Sequence, residues 1–307
     1  MLELDKKQGN QTGIALDNYD QDADSHAYLE HLEEVSATDS EQLLNVGVDT
    51  TGSCRSGTFI QKDSSVIHSQ TCQAGVEIMS ISQARKSHGW LEEYEWQNVS
   101  PDTDQFTAQA KNVPHEGYFI RSLPGVKVSH PVQSCLYIAK ERFSQNVHNI
   151  VIAEEDSELH VITGCATAPH LMSGMHVGVS EFYVKKNAKL FFTMIHDWGE
   201  KVNVRPRSNI QVEAGGVVVS NYISLRPVGS LQMFPTTSLN GKNAVARFNS
   251  VLVAAQGSHL DVGSRVILKA PGTRAEIISR GITSGGTIIA RGDLIGEVAG
   301  IKAHLEL

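Results

Sequence analysis

A small polar turn followed by a β-branched strand recurs along the second half of this 307-residue chain. Successive copies are 31, 28, 27, 15, 15 and 13 residues apart, close to one or two lengths of a unit of about fourteen residues. Two short strands and two tight turns fill such a unit and leave no room for a helix. The repeat therefore predicts a β-solenoid. The copies are residues 155–159, 186–190, 214–218, 241–245, 256–260, 271–275 and 284–288.

An antiparallel sandwich or barrel is the alternative, because it also has short strands at regular intervals. Two features favour the solenoid. The turns recur in the same chemical form, and segments such as Val217–Val219 and Ile277–Ile278 are apolar runs without clean alternation.

The first 115 residues differ from the repeat region. We expect a polar, partly helical arm with a helix near Ser25–Leu32, then a small α/β region. Thr58–Gln61 and Ser65–His68 predict two strands around a turn, and Ile81–Trp96 predicts a packed helix with two tryptophans. The predicted domains are residues 1–115, the arm and α/β region, and residues 116–307, the β-helix.

The charge and the termini restrict the partners and the compartment. A net charge of -8 argues against a nucleic-acid or anionic-membrane surface. No apolar run approaches the roughly 20 residues of a membrane span, and residues 1–5 do not resemble a signal peptide. These observations predict a cytoplasmic protein. Its four cysteines form no Cys-x-x-Cys pair, so we expect free thiols rather than a zinc site or disulfides.

Several segments in the correct order resemble the SufB/SufD family of SUF iron–sulphur cluster assembly proteins, and its archaeal members most. The resemblance extends from about residue 117 to residue 307. The segments are 146–155, 160–165, 179–186, 194–198, 204–208, 261–265 and 276–282.

The resemblance implies a right-handed parallel β-helix that forms a homodimer or a SufB/SufD-type heterodimer through its edge. It implies a SufC-type ABC ATPase partner, which fits a chain without a Gly-x-x-x-x-Gly-Lys-[Ser/Thr] loop. The implied role is a non-catalytic scaffold that receives sulphur and iron. An iron–sulphur cluster would be carried transiently in the full complex, and we expect none bound to this chain alone.

The resemblance also implies site residues. Cys165 matches the sulphur-receiving cysteine, and a buried packing thiol is the alternative. His196 and Trp198 match positions that line a route inside the β-helix. His196 could donate a hydrogen bond to a persulphide or be a weak iron ligand, or it could be a core histidine. Arg205 and Arg207 could lower the pKa of a thiol, with exposed salt bridging as the simpler interpretation.

The chain departs from the family at two places. Near Tyr137 and Ala139 it lacks the charged and amide residues of the SufB branch. At His304–Leu307 it stops where a cysteine, further ligands and a helical C-terminal domain are expected, so we expect a truncated chain and an undetermined metal site. A β-helix enzyme or binding protein acting on polysaccharides stays the alternative, although aromatics and paired carboxylates are scarce in the repeats.

Overall fold

The polar turns do stack, and the chain winds into a β-solenoid of about six turns. The computed structural model describes residues 13–51 and 55–307. Strands make up 51% of it and helices 11%. The predicted mainly β solenoid with a small N-terminal helical region is confirmed, whereas its handedness and the domain division at residue 116 stay predictions.

Nineteen strands build the solenoid within the described residues. They are β1 (Gly57–Lys62), β2 (Ser65–Thr71), β3 (Val76–Ser80), β4 (Tyr118–Ser122), β5 (Val132–Ile138), β6 (Ser144–Ala153), β7 (Glu158–Thr167), β8 (Ser173–Val184), β9 (Lys189–Asp197), β10 (Lys201–Val204), β11 (Arg207–Val212), β12 (Val217–Ser224), β13 (Ser230–Met233), β14 (Thr236–Leu239), β15 (Val245–Ala255), β16 (His259–Leu268), β17 (Arg274–Ser284), β18 (Thr287–Gly296) and β19 (Lys302–Glu306).

The strands form two sheets that face each other across the interior of the solenoid. One sheet has the order β19-β17-β15-β12-β9-β7-β5-β1-β2. The other runs from β3 through β4, β6 and β8 to β16 and β18. All pairings between coils are parallel, and β1–β2 and β3–β4 are antiparallel. Since β1 pairs in parallel with β5, the sheets extend upstream of residue 116.

Two prolines divide strands in the second sheet. Pro206 separates β10 from β11, and Pro235 separates β13 from β14. Both halves of each pair still align with one continuous neighbour, β8 on one side and β16 on the other. Because proline has no N–H to donate, it interrupts the hydrogen-bond ladder without ending the sheet.

A column of left-handed residues fixes one corner of every coil. Its members have φ between 56° and 79°. The N–H of each of the first six donates to a carbonyl in the next turn, at 2.9–3.2 Å. Glycine, asparagine and aspartate tolerate this conformation best, which explains why the sequence repeats them. The column is Gly125, Asp156, Asn187, Gly215, Asn243, Gly272 and Gly300.

The helices lie on the outside. They are α1 (Ala37–Asn45), α2 (Ile81–Ser87) and α3 (Gln105–Asn112). The helix predicted over Ile81–Trp96 ends at Ser87 and continues as a short 3-10 turn, Leu91–Glu93. Among the described residues no helix is long and apolar enough to span a membrane.

The N-terminal predictions have mixed outcomes. The strand–turn–strand at residues 58–68 is confirmed by the antiparallel β1–β2 pair. The helix predicted near Ser25–Leu32 is wrong, because that segment is irregular up to a 3-10 turn at Leu32–Glu34. It is held by contacts with the solenoid instead: the Leu29 N–H donates to the Ile67 carbonyl, and His26 pairs with Asp63 at 2.8 Å.

Candidate functional site

A small polar cavity lies inside the middle coils of the solenoid. Its volume is about 10 Å³, close to what one water molecule requires. Cys165, His176 and His196 are three of its lining residues, and none of the lining residues is Asp, Glu, Lys or Arg. The others are Tyr118, Leu136, Asn149, Thr163, Gly178, Ser180, Met194 and Pro206.

Cys165 is buried in this cavity at the inner face of β7. Its side chain is part of the core and only 1% exposed, and it is a free thiol. Burial raises the pKa of the Cys165 thiol well above its ordinary value, and burial is the only cause. Neither Arg205 nor Arg207 is among the residues that line the cavity around the thiol.

His196 lies beside Cys165 because the two residues are in direct register between β7 and β9. Its Nδ1 is 2.8 Å from the Tyr222 hydroxyl oxygen. Its Nε2 is buried and has no hydrogen-bond partner among the described residues. Burial, reinforced by His176, holds the pKa of His196 well below its ordinary value, so the ring is neutral.

Trp198 lies between two imidazoles. Its ring centroid is 5.0 Å from that of His176 and 5.3 Å from that of His196. The indole is 5% exposed, and within the described part of the chain its Nε1–H has no acceptor. Trp198 and His196 thus each have a buried nitrogen without a partner among the described residues, which is unusual in a folded protein, and His196 is the one in register with Cys165.

Arg205 and Arg207 point away from this cavity. Pro206 between them lines it, and alternation along the chain places its two neighbours on the outer side. Arg205 is 2% exposed and donates to the Ser230 hydroxyl and carbonyl oxygens at 2.8 and 3.0 Å. Burial, together with Arg207, lowers the pKa of Arg205 to about 10.

Arg207 has a structural partner on α3. Its Nε donates to Asp104 Oδ2 at 2.6 Å, and Asp104 also caps the first turn of that helix. The guanidinium lies 5.1 Å from the ring centroid of Phe106. Arg207 therefore forms a salt bridge, as the simpler interpretation expected, but the bridge is largely buried rather than exposed.

His176 is a member of the site that the sequence analysis missed. It lies on β8 in register with Gln145 of β6, and its Nδ1 is 3.1 Å from Gln145 Oε1. Burial lowers the pKa of His176 to about 3. One signal could have identified it: Gln145 and His176 are 31 residues apart, the same separation as Cys165 and His196, which is one coil.

The other cysteines have different surroundings. Cys135 pairs in register with Gly164, one position from Cys165, so it faces the opposite side of the sheet. It is fully buried, whereas Cys72 is exposed. Cys54 lies outside the described residues. Within residues 13–51 and 55–307 no three His, Cys, Asp or Glu side chains form a group able to hold a metal ion.

A larger cavity of about 50 Å³ continues the interior toward the C-terminal coils. Met194 lines both cavities. The other lining residues of the larger one come from the part of the chain from β8 to β18, and its walls are mainly apolar, with Phe192, Phe248 and Val262 among them. The interior therefore changes from polar around Cys165 to apolar beyond Met194.

Comparison with known proteins agrees with this architecture. Residues 136–299 match the family model described as "SUF system FeS cluster assembly, SufBD core domain". An Archaeoglobus fulgidus "Iron-sulfur cluster assembly SufBD family protein" is 51% identical over 87% of this chain and 72% of its own length. The Methanothermobacter thermautotrophicus protein of the same description is 45% identical, over 93% and 71%.

A more distant relative carries a more specific name. The Bacillus subtilis "Iron-sulfur cluster assembly protein SufB" is 28% identical over 71% of this chain and 47% of its own length. The family match covers more than half of this chain, and the archaeal relatives are aligned over most of their length. This chain belongs to the SufBD family of iron–sulphur cluster assembly proteins.

Proposed function

We propose that this chain is a sulphur-accepting scaffold of iron–sulphur cluster assembly, with Cys165 as the acceptor. The observation that carries the proposal is the buried thiol beside His196, whose Nε2 has no partner among the described residues. Such an orphaned nitrogen costs free energy unless a further group binds to it. A sulphur atom added to Cys165 supplies that group.

The chemistry is a transfer of sulphane sulphur from a persulphide donor. Cys165–SH and R–S–SH give Cys165–S–SH and R–SH, so one S–S bond forms, one breaks, and there is no net oxidation. The Cys165 thiolate is the attacking species, and its proton ends on the departing thiol. His196 and Trp198 orient the added sulphur.

The proposal includes a partner, because Cys165 is only 1% exposed and a protein donor needs an opening in the solenoid wall. We assign that opening to the complex with a SufC-type ABC ATPase, in which this chain itself turns over no substrate. The proposal also includes a homodimer or SufB/SufD-type heterodimer through the β-helix edge. It places the protein in the cytoplasm and makes a transient iron–sulphur cluster its cargo. Membership of an iron–sulphur cluster assembly family is consistent with the ATPase partner.

Persulphide labelling of the chain purified with its ATPase partner tests the acceptor. We expect mass spectrometry to find the added sulphur on Cys165 and labelling to be lost in Cys165→Ser. Cys135→Ser is the matched control, because it removes a buried thiol from the adjacent strand on the other face. Unchanged labelling of Cys165→Ser would remove Cys165 from the site.

Anaerobic reconstitution with iron and sulphide tests the scaffold role. We expect the chain and the ATPase to co-purify and the complex to acquire the visible absorbance of an iron–sulphur cluster. If neither a complex nor cluster absorbance forms, the scaffold function is wrong, whatever the result at Cys165.

A further inference from the structure

The hydrogen bonds of Gln145 determine which nitrogen of His176 carries the proton. The Gln145 amide N–H groups donate to the carbonyls of Asp63 at 2.8 Å and Tyr137 at 3.3 Å. These two acceptors fix the orientation of the amide, so Gln145 Oε1 is the atom next to His176 Nδ1. An amide oxygen can only accept, so Nδ1 must carry the proton.

The other ring nitrogen of His176 is therefore a lone-pair acceptor. This nitrogen, Nε2, lies beside Gly178, which is also on the inner face of β8 and lines the same cavity as Cys165. A Cβ built on Gly178 would be 2.8 Å from His176 Nε2. The φ angle of Gly178 is not in the left-handed range, so its backbone conformation does not require glycine. What the absence of a side chain does provide is space in front of His176 Nε2.

The ionisable groups around Cys165 all favour neutral species. The titratable neighbours are Tyr118 on β4, Cys135 on β5, His176 on β8, His196 on β9 and Tyr222 on β12, and burial shifts the pKa of each toward its uncharged form. The cavity lining contains no Asp, Glu, Lys or Arg side chain. An anionic persulphide would have no cation in this cavity to compensate its charge.

We propose that His176 Nε2 accepts a hydrogen bond from the terminal S–H of a Cys165 hydropersulphide, so that the cavity stores the transferred sulphur in its protonated, neutral form. The inference rests on the proposed function, in that Cys165 takes up the sulphur. His176 is a positioning residue in this arrangement. A neutral hydropersulphide is a weak nucleophile, so the stored sulphur is protected from side reactions until the cavity opens.

The infrared S–H stretch tests the hydrogen bond directly, because it shifts to lower wavenumber when the S–H donates. The full chain in complex with its ATPase partner is loaded with glutathione hydropersulphide, and the spectrum of the same complex carrying Cys165→Ser is subtracted to isolate the band of this site. We expect a neutral S–H band at pH 7 that is shifted to lower wavenumber in the wild type. We expect His176→Leu to lose that shift.

Gly178→Ala is the second variant, because it retains His176 and places a methyl group in front of Nε2. Gly178→Ala should also lose the shift of the S–H band, and it replaces His176→Leu as the test if that variant does not fold. A band at the wild-type position in the folded variants, or no S–H band in a loaded wild type at pH 7, overturns the inference but leaves sulphur acceptance intact. A wild type that takes up no sulphur at Cys165 overturns the proposed function as well.

Discussion

Cys165 and His196 occupy equivalent positions on successive coils, directly opposite each other in the parallel pairing of β7 with β9. The same column continues with Leu136 on one side and Ser224 on the other. In a solenoid, residues one coil apart become neighbours even when about 30 residues separate them in sequence. The pairing of Cys165 with His196 is therefore produced by the stacking of coils.

Burial should make Cys165 slow to react in the folded chain. We expect alkylation by iodoacetamide at pH 8 to be slower at Cys165 than at the exposed Cys72 by on the order of 100-fold, because only an accessible thiolate reacts. Peptide mass spectrometry over time measures both rates. In denaturant the two rates should converge, and equal rates in the folded chain would contradict the burial of Cys165.

Removing Arg207 should affect stability rather than sulphur transfer. Arg207→Ala loses the charged hydrogen bond to Asp104 and weakens the attachment of α3, at a cost of about 1–3 kcal/mol in unfolding free energy. Denaturant unfolding measures that loss. Persulphide labelling of Cys165 should stay within about twofold of the wild type, since Arg207 binds Asp104 and does not line the cavity. A large drop in labelling of the folded variant would show that Arg207 takes part in sulphur transfer to Cys165.

Gly164 should tolerate no side chain, because Val46 packs directly on it. An added Cβ would be 2.3 Å from a Val46 methyl and 2.8 Å from the Val46 carbonyl oxygen. We expect Gly164→Ala to lower the unfolding free energy by about 1–3 kcal/mol through overpacking. Gly174→Ala is the matched control on β8, where the nearest atom would be at 3.4 Å, and its effect should be small.

Glu95 should make stability depend on pH below neutrality. Burial alone would raise the pKa of Glu95, but the nearby His148 imidazole and the Arg85 guanidinium, which donates hydrogen bonds to the carboxylate, outweigh burial and lower the pKa from 4.5 to about 2. The stabilisation is therefore complete above pH 4.5 and lost as the pH falls through about 2.

Glu95→Gln measures this contribution. We expect a loss of about 1–2 kcal/mol at pH 7, reduced because Arg85 is 44% exposed. The difference from wild type should shrink between pH 4.5 and 2. Chemical denaturation across that range is the measurement, and a difference that does not change with pH would contradict the prediction.

Asn187 tests the column of left-handed turn residues. Its φ is 56°, and its side-chain N–H donates to Asp156 Oδ1 at 3.0 Å in the preceding coil. Asn187→Ala should cost about 1–2 kcal/mol, because alanine is strained in this conformation. Asn187→Gly removes the same side-chain bond without the strain, so it should be less destabilising. Thermal unfolding of both variants tests this order, and an alanine variant as stable as the glycine variant would contradict it.

The sequence predicted the architecture well because the solenoid repeats its chemistry. Turn residues such as Asn187 and Gly215 recur for a conformational reason, and the recurrence is visible without a structure. The unit of about fourteen residues corresponds to half a coil, since stacked residues such as Asn187 and Asp156 are 31 apart. The arm near Ser25 was predicted incorrectly because contacts with β2, which local spacing does not reveal, determine its conformation.

The site was only partly predictable. Cys165, His196 and Trp198 do lie together, but which side of a strand Arg207 faces depends on Pro206 and on the packing of α3. His176 could not be identified from its immediate neighbours, because its tautomer depends on Gln145 and on two carbonyls from other coils. Such roles become apparent only when the register between coils is known.

The stacked turns also predict how the molecule would respond to force. Hydrogen bonds between coils run along the solenoid axis, so a pull along that axis would open them one after another instead of shearing them together. Coils should then detach singly, each releasing about 30 residues and lengthening the chain by roughly 100 Å. A partner that grips one end could therefore loosen the terminal coil while the coils around Cys165 stay closed.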